Sequence, residues 1–480
     1  MFLGLVLTAL SGVAVLSFVL YPKVRLSWLQ KVAWLLVLSF PLERIPSLDT
    51  ALGTLKVSHL LVAAGYYFLA LLILKKDRKL LSVKVHPVTW WVFGFYVFSA
   101  PGIYFVQNFN RFLVVYVAVF LSFSTLLFIT HFLQDSFRVL CALLAMNILI
   151  LFFSIYQFIA DMAGLPATVS TVKPLFQKHV FGIPRLHATF NEPSYFANGL
   201  ILPVVGYLIL LARKIPIARE LPGLQKKGGY LLDQKFYAGT YALLLLLFAA
   251  AFVLTLAKSA WLVAPVILVP LHIWLIAKGY LPGFFVRVLT TGGIVSLLVI
   301  FFLAPLPGNF VNETYTHALK TLSGRSATVA ERSIYFQAAA DHIAKRPLTG
   351  IGPGQFGTVA GDNINFRFEQ IRDYALQQEQ LRRNNKEVIV FNVYAEVWLE
   401  YGLGGFIAFL GIVLYALLLV GKGLWRTTLP AMTRAQLTLL ICGLYLAFSL
   451  LQWNYISPLY VNPIFIALGL IFNTAHYART

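Results

Sequence analysis

Residues 238–257 read AGTYALLLLLFAAAFVLTLA, and Lys258-Ser259 then leads into a second apolar run that ends at Lys278. Each run approaches the roughly 20 residues that an α-helix needs to cross about 30 Å of hydrocarbon. The same reading repeats along the chain, giving spans near 2–21, 27–42, 58–74, 88–106, 112–133, 138–160, 194–212, 238–257, 259–278, 286–305, 391–420, 434–452 and 457–475. The second span is short; if it only dips into the membrane, twelve remain. Hydrophobic residues make up 59% of the 480 and charged residues 12%; the mean hydropathy is +0.79. A soluble domain sits nearer half apolar and a quarter charged. A barrel would show short alternating segments, which are absent. The expected fold is therefore an all-α polytopic membrane protein. Residues 1–305 hold helices 1–10, residues 306–390 a large, partly helical loop, and residues 391–480 helices 11–13.

The first span lacks a basic leading region and a small-residue cleavage site, so it reads as a helix and not a removed signal. Cys141 and Cys442 both lie in apolar stretches, where they pack; no disulfide framework or metal cluster follows from them. The net charge of +20 is concentrated in short loops. That placement fits orientation signals and anionic-lipid contacts, and it argues against nucleic acid.

Orientation follows from the same charges. Lys75, Lys76, Arg78, Lys79 and Lys84 follow the third span, Arg213, Lys214, Arg219, Lys226, Lys227 and Lys235 the seventh, and Lys422, Arg426 and Arg434 the eleventh. With thirteen spans these loops share one side, the cytoplasmic one. The loop near 161–193 and the long insert 306–388 then lie outside. The insert holds 8 of the 18 acidic residues and 10 of the 38 basic ones. A protein that only had to span the bilayer would not need it.

Four polar clusters gather at that outer face. Arg185-Leu-His187-Ala-Thr-Phe-Asn191-Glu192-Pro193-Ser194-Tyr195 reads as a helix start, with Asn191 as cap and proline in the first turn. Glu192 there is either a capping carboxylate or a proton acceptor held ionised by the helix dipole. Lys258 sits between two apolar spans, where it either snorkels to headgroups or meets a ligand. In the insert, Ser323-Gly-Arg325-Ser precedes an expected helix over 327–345, stopped by Lys345-Arg346-Pro347. Arg325 and Arg332 share a face if both are helical, and the guanidinium fork suits pyrophosphate oxygens. Gly350-Ile-Gly352-Pro-Gly354-Gln-Phe356 follows as a tight turn with exposed N–H groups. Finally Asn392, Glu396 and Glu400 recur at four-residue spacing along one stripe. Carboxylates entering a membrane helix need a wet cavity or a cation, and Lys258, Arg185 and Arg325 are on the side to supply it. No zinc spacing, P-loop or dinucleotide fingerprint is present. His317 and His342 read as ordinary loop residues.

In these motifs and their order, from about Arg185 to Phe406, the chain resembles the O-antigen ligase and O-antigen polymerase superfamily of bacterial envelope glycosyltransferases. The resemblance rests on Phe-Asn-Glu-Pro-Ser-Tyr, on Thr255 to Trp261, on Arg325 through Arg332 to the Pro347–Phe356 turn, and on Asn-x-Tyr-x-Glu followed by Glu-Tyr-Gly-Leu-Gly-Gly. It implies a GT-C-like fold in the bacterial inner membrane with the large loop periplasmic. It also implies a metal- and cofactor-independent transfer of a glycan from a polyprenyl-pyrophosphate carrier to an acceptor hydroxyl. Expected partners are that lipid-linked oligosaccharide, a glycan or lipid acceptor, membrane lipid and a chain-length regulator protein.

The family's arginines are thought to hold the pyrophosphate, a role that carries over to Arg185 and Arg325, with Arg332 beside them. Glu192 and Glu396 are the carboxylates that would accept the proton. Lys258, Arg332, His187, Asn392, Tyr195 and Glu400 are expected to bind substrate. Two departures bear on the reaction. Phe391 stands where ligases carry histidine before asparagine, and Lys258 stands where arginine is common. The first shifts the expectation from ligase to polymerase, also of exopolysaccharide type. A flippase for the same lipid is the competing class, but its basic residues would line a central path instead of one face. An assembly scaffold would explain the insert but not the carboxylate stripe.

Overall fold

In hydrocarbon every backbone N–H and C=O must be bonded within the protein, so apolar runs of this length fold as helices. A computed structural model of the protein describes residues 27–42, 47–50, 53–74, 85–166, 179–180, 183–190, 192–221, 234–281, 287, 327–362, 364, 390–425, 427–453 and 462–477. The helices are α1 (Trp28–Leu38), α2 (Val57–Leu74), α3 (Val88–Ser99), α4 (Phe109–Phe132), α5 (Ser136–Met162), α6 (Pro193–Ala212), α7 (Gln234–Leu254), α8 (Lys258–Ala277), α9 (Ala327–Lys345), α10 (Phe356–Val359), α11 (Val393–Leu424), α12 (Arg434–Gln452) and α13 (Asn462–Tyr477). A 3-10 turn, Ala100–Phe105, extends α3.

Among the described residues nine helices are long and apolar enough to cross a membrane: α2 to α8, α11 and α12. Two shorter apolar helices, α1 and α13, match the second and last expected spans. The expected spans 2–21 and 286–305 lie outside the described residues, Arg287 apart. The protein is an all-α polytopic membrane protein. Two small antiparallel hairpins, β1–β2 (Ser47–Thr50 with Gly53–Lys56) and β3–β4 (His179–Val180 with Ile183–Pro184), are additions the sequence pattern did not announce. The insert helix α9 has the bounds expected of it.

The helices have two distinct ends. At the one termed lower here, Asn473 of α13 donates to the Thr130 and Leu133 carbonyls, both at 3.0 Å. Arg213 after α6 donates to the Pro430 and Met432 carbonyls, and Arg434 pairs with Glu220 at 2.8 Å. At the upper end the turn after α3, the segment before α6, the α7–α8 link, the segment after α9 and the start of α11 are bonded to one another.

The feature that sets the upper end is a break in α11. Gly402 has φ 71° and ψ 178° inside an otherwise helical run. Such a break frees carbonyls that must find other donors. The segment after α9 supplies them: the Ile351 N–H donates to the Leu399 carbonyl at 2.9 Å, and the Gly352 N–H to the Glu400 carbonyl at 3.0 Å. In return the Leu403 N–H donates to the Pro347 carbonyl at 2.9 Å, and the Trp398 indole donates to the same oxygen at 3.1 Å. Gly350, at φ 69°, lies so close that a Cβ would sit 2.6 Å from the Gly402 nitrogen. Two glycines back to back are what let the insert reach the helix axis.

A small second core fastens this arrangement. Ile334, Tyr335 and Ala338 of α9 pack with Ile351, Phe356 and Leu399. Gln355, fully buried, locks the plug to the α3–α4 turn. Its Oε1 accepts the Gln107 and Asn108 N–H groups at 3.0 and 2.8 Å, and its Nε2 donates to the Asn108 carbonyl at 2.9 Å.

Gly402→Ala combines a left-handed φ with a collision against the Leu348 carbonyl. It is expected to cost about 2 kcal/mol or more and to lower the melting temperature of the detergent-purified protein. Gly421→Ala, where a Cβ meets nothing within 4 Å, is expected to be neutral or slightly stabilising, by up to about 1 kcal/mol.

Candidate functional site at the upper face

The segment 185–192 forms a hook over the end of α7. The last carbonyls of a helix have no intrahelical donor and carry the negative end of its dipole, so a cation settles there. Here that cation is Arg185. Its Nε donates to the Thr255 carbonyl at 3.2 Å and its Nη2 to the Leu256 carbonyl at 3.5 Å, while the Leu186 N–H donates to the Leu254 carbonyl at 3.0 Å. Leu256 takes φ 50° to turn the chain into α8. Burial pushes the Arg185 pKa below its ordinary value, and the nearby Glu192 carboxylate opposes that shift. Arginine has so high a starting value that it stays charged. The first two expected clusters are thus in direct contact, with Lys258 opening α8 two residues beyond Leu256.

Behind the hook, Gln157 of α5 acts as a clamp. Its Oε1 accepts the Ala188 N–H at 3.0 Å, and its Nε2 lies 2.9 Å from the His187 Nε2. The His187 Nδ1 is 3.3 Å from the Phe190 carbonyl. A carbonyl only accepts, so this geometry assigns the neutral tautomer with the proton on Nδ1. His187 is 3% exposed; expected among the substrate-binding residues, it is engaged here in holding the hook. Ala188, at φ 47°, makes the bend, and the Thr189 hydroxyl donates to the Pro41 carbonyl.

The cap of α6 is Glu192 and not Asn191, which lies outside the described residues; Pro193 follows at the first helical position. The Glu192 side chain makes no capping bond and is exposed, with the Ser194 hydroxyl donating to it at 3.4 Å. Tyr195 is half-buried beside it.

From α6 the contacts run to α12 and then to α11. Asn198 donates to the Gln452 Oε1 at 2.6 Å and to the Ser449 hydroxyl at 3.2 Å, and accepts the Tyr445 hydroxyl at 2.7 Å. The Gln452 amide reaches the Ser194 carbonyl at 3.5 Å. One turn on, the Trp453 carbonyl accepts the Val393 N–H at 3.1 Å, and the Tyr394 hydroxyl donates to the Leu450 carbonyl at 2.9 Å. Asn392 caps α11, its Oδ1 taking the Ala395 N–H at 3.0 Å. Phe391, at φ 55°, stacks on Tyr335 and lies 5.5 Å under the Arg332 guanidinium. This joins the third cluster to the fourth.

The carboxylate stripe differs from its expectation. Glu396 and Glu400 are 1% and 3% exposed. Glu400 turns toward the glycine turn, where the Gly354 N–H donates to its Oε2 at 2.8 Å. Among the described residues the cation acting on Glu400 is Arg111 of α4. Glu400, expected among the substrate-binding residues, holds the turn through its Gly354 bond. The turn's N–H groups, expected to be exposed, are used on Glu400 and on the broken helix. Arg325 lies outside the described residues, and of Lys258 only the backbone is described. Among the described residues no group of three or more His, Cys, Asp or Glu could hold a metal ion.

Sequence reasoning passed over Gln157, Asn198, Gln452 and Arg111. Each is a polar residue within or next to an apolar span, which is itself a signal of a buried partner. Gln157→Leu leaves the Ala188 N–H and the His187 ring without their partner. It is expected to destabilise the protein by about 1–3 kcal/mol, seen as a lower melting temperature in detergent.

Residues 243–410 match the family described as O-antigen ligase. The match takes in Lys258, Arg332, the glycine turn, Asn392, Glu396 and Glu400, and stops short of the hook at 185–195. No curated protein matches the chain. The family match agrees with the resemblance carried by the motifs and supports it for the segment 243–410 of this multi-pass protein.

Proposed function

We propose that the upper face transfers a glycan from a polyprenyl-pyrophosphate carrier to an acceptor hydroxyl, and that the acceptor is a second lipid-linked repeat, making the protein a polysaccharide polymerase. The observation that carries this reading is the run of contacts that links Arg185, Glu192 and the start of α8 through α12 to Asn392, Phe391 and Arg332. Arg213, Lys214, Arg219 and Arg434, from two of the short basic loops, stand at the lower end, which supports a periplasmic upper end.

The chemistry follows from the charges. The acceptor oxygen attacks the anomeric carbon, and the bond from that carbon to the pyrophosphate oxygen breaks with its electron pair going to the departing lipid pyrophosphate. Fixed cations stabilise that developing charge. Arg185 uses two of its five donors on the Thr255 and Leu256 carbonyls just past α7, so the rest of its fork serves the diphosphate. Lys258, Arg325 and Arg332 are the further cations assigned to this role. The acceptor's proton goes to Glu192, the exposed carboxylate beside Arg185. Glu396, expected as the other base, is buried in α11 and serves only if the substrate opens a path to it. Phe391 supports polymerase over ligase, because its place in the Arg332–Tyr335 stack leaves no imidazole there.

Alanine at Arg185, Lys258, Arg325 or Arg332 is expected to lower polymer formation by about 10²- to 10³-fold, and Glu192→Gln by about 10²-fold or more, with membrane levels of the protein unchanged. Reconstitution with a lipid-linked oligosaccharide separates the readings. Lengthened glycans support the polymerase, transfer only to lipid A core the ligase, and translocated but unextended lipid the flippase. Wild-type polymer length in all the cation variants would refute the proposal.

A further inference from the structure

The lower end holds a cavity of about 420 Å³ where the first turns of α5 and α12 meet the end of α13, lined in part by Asp135, Ser136, Arg434, Thr438, Asn473 and Thr474. It lies at the opposite end from the glycan site. Its floor is rigid. Asn473 accepts the Ser136 hydroxyl at 2.5 Å and spends its amide protons on the Thr130 and Leu133 carbonyls. Thr474 is 5% exposed, and its hydroxyl has no hydrogen-bond partner among the described residues. A buried hydroxyl left that way is costly unless a ligand meets it.

The charges around the cavity come in two signs. On the α5 side stands Asp135, 39% exposed and backed by Arg138 at 3.3 Å. On the α12 side stands Arg434, 62% exposed and backed by the buried Glu220. Each keeps hydrogen-bonding capacity beyond its pair: an ionised carboxylate accepts about four bonds, and a guanidinium donates five. The N-terminus of α12 adds donors that favour phosphate. Among the described residues these four charged groups sum to zero, which suits a zwitterion better than a bare anion. The position, where apolar helices end, is the depth of lipid headgroups.

We infer that this cavity binds the headgroup of a phosphoethanolamine lipid, the phosphate toward Arg434, the first turn of α12 and Thr474, and the primary ammonium toward Asp135. Two variants test this without threatening the fold. Asp135→Asn keeps the helix cap and tolerates the left-handed φ of 55°. Thr474→Val keeps the side chain's shape.

The full-length protein is reconstituted in vesicles of phosphatidylcholine with equal minor fractions of phosphatidylethanolamine and phosphatidylglycerol, and the lipid retained after mild detergent extraction is counted by native mass spectrometry. The expected result is selective retention of phosphatidylethanolamine, reduced at least fivefold in both variants. Equal retention of phosphatidylglycerol or phosphatidylcholine, or unchanged retention in both variants, would overturn the inference. Displacement of the retained lipid by millimolar free phosphoethanolamine would overturn the lipid assignment in favour of a soluble ligand.

Discussion

The upper half of this protein depends on a backbone requirement: a membrane helix that breaks must have its freed carbonyls satisfied by protein. The break in α11 at Gly402 is made good by the N–H groups of Ile351 and Gly352. From this exchange follow the position of the insert, the burial of Gln355 against the α3–α4 turn and the enclosure of Glu400 by the glycine turn. The insert is thus part of the membrane helix's own bonding, and the helix α9 that leads into it is held where Arg332 covers Phe391.

A second element of order is the polar seam through α6 and α12. Asn198, Tyr445, Ser449 and Gln452 are all buried and joined by hydrogen bonds. In an apolar surrounding such a network fixes register, because sliding either helix by a turn would strand several polar groups at once. It therefore ties the start of α6, with Glu192, to the end of α12 and so to the cap of α11. Arg185 does the same work at the other flank through the Thr255 carbonyl just past α7. Within the proposed site, cation placement is a consequence of helix-end chemistry as much as of substrate recognition.

The two ends of the bundle use their charges differently. At the upper face Arg185 spends its donors on helix-end carbonyls beside the exposed Glu192. At the lower end, acid and base come as backed pairs, Asp135 with Arg138 and Glu220 with Arg434, around a cavity with a rigid amide floor. That asymmetry agrees with the proposal of group transfer at one face and lipid contact at the other.

Sequence alone determined the class of fold, because runs of membrane length with few charges leave a chain no other way to bond its backbone. It also placed α9 to the residue, since Lys345-Arg346-Pro347 is a strong stop, and it singled out the segments that meet at the upper face. It did not reveal which groups face which. Spacing showed Asn392, Glu396 and Glu400 on one stripe, but only the tertiary structure gave Glu400 to the glycine turn and Arg111, because the break at Gly402 and the approach of Gly350 are long-range events. Likewise His187 looked like a ligand until Gln157, thirty residues earlier, was seen to hold it. A polar residue's partner is decided by packing between helices, and hydropathy along one chain carries no record of that packing.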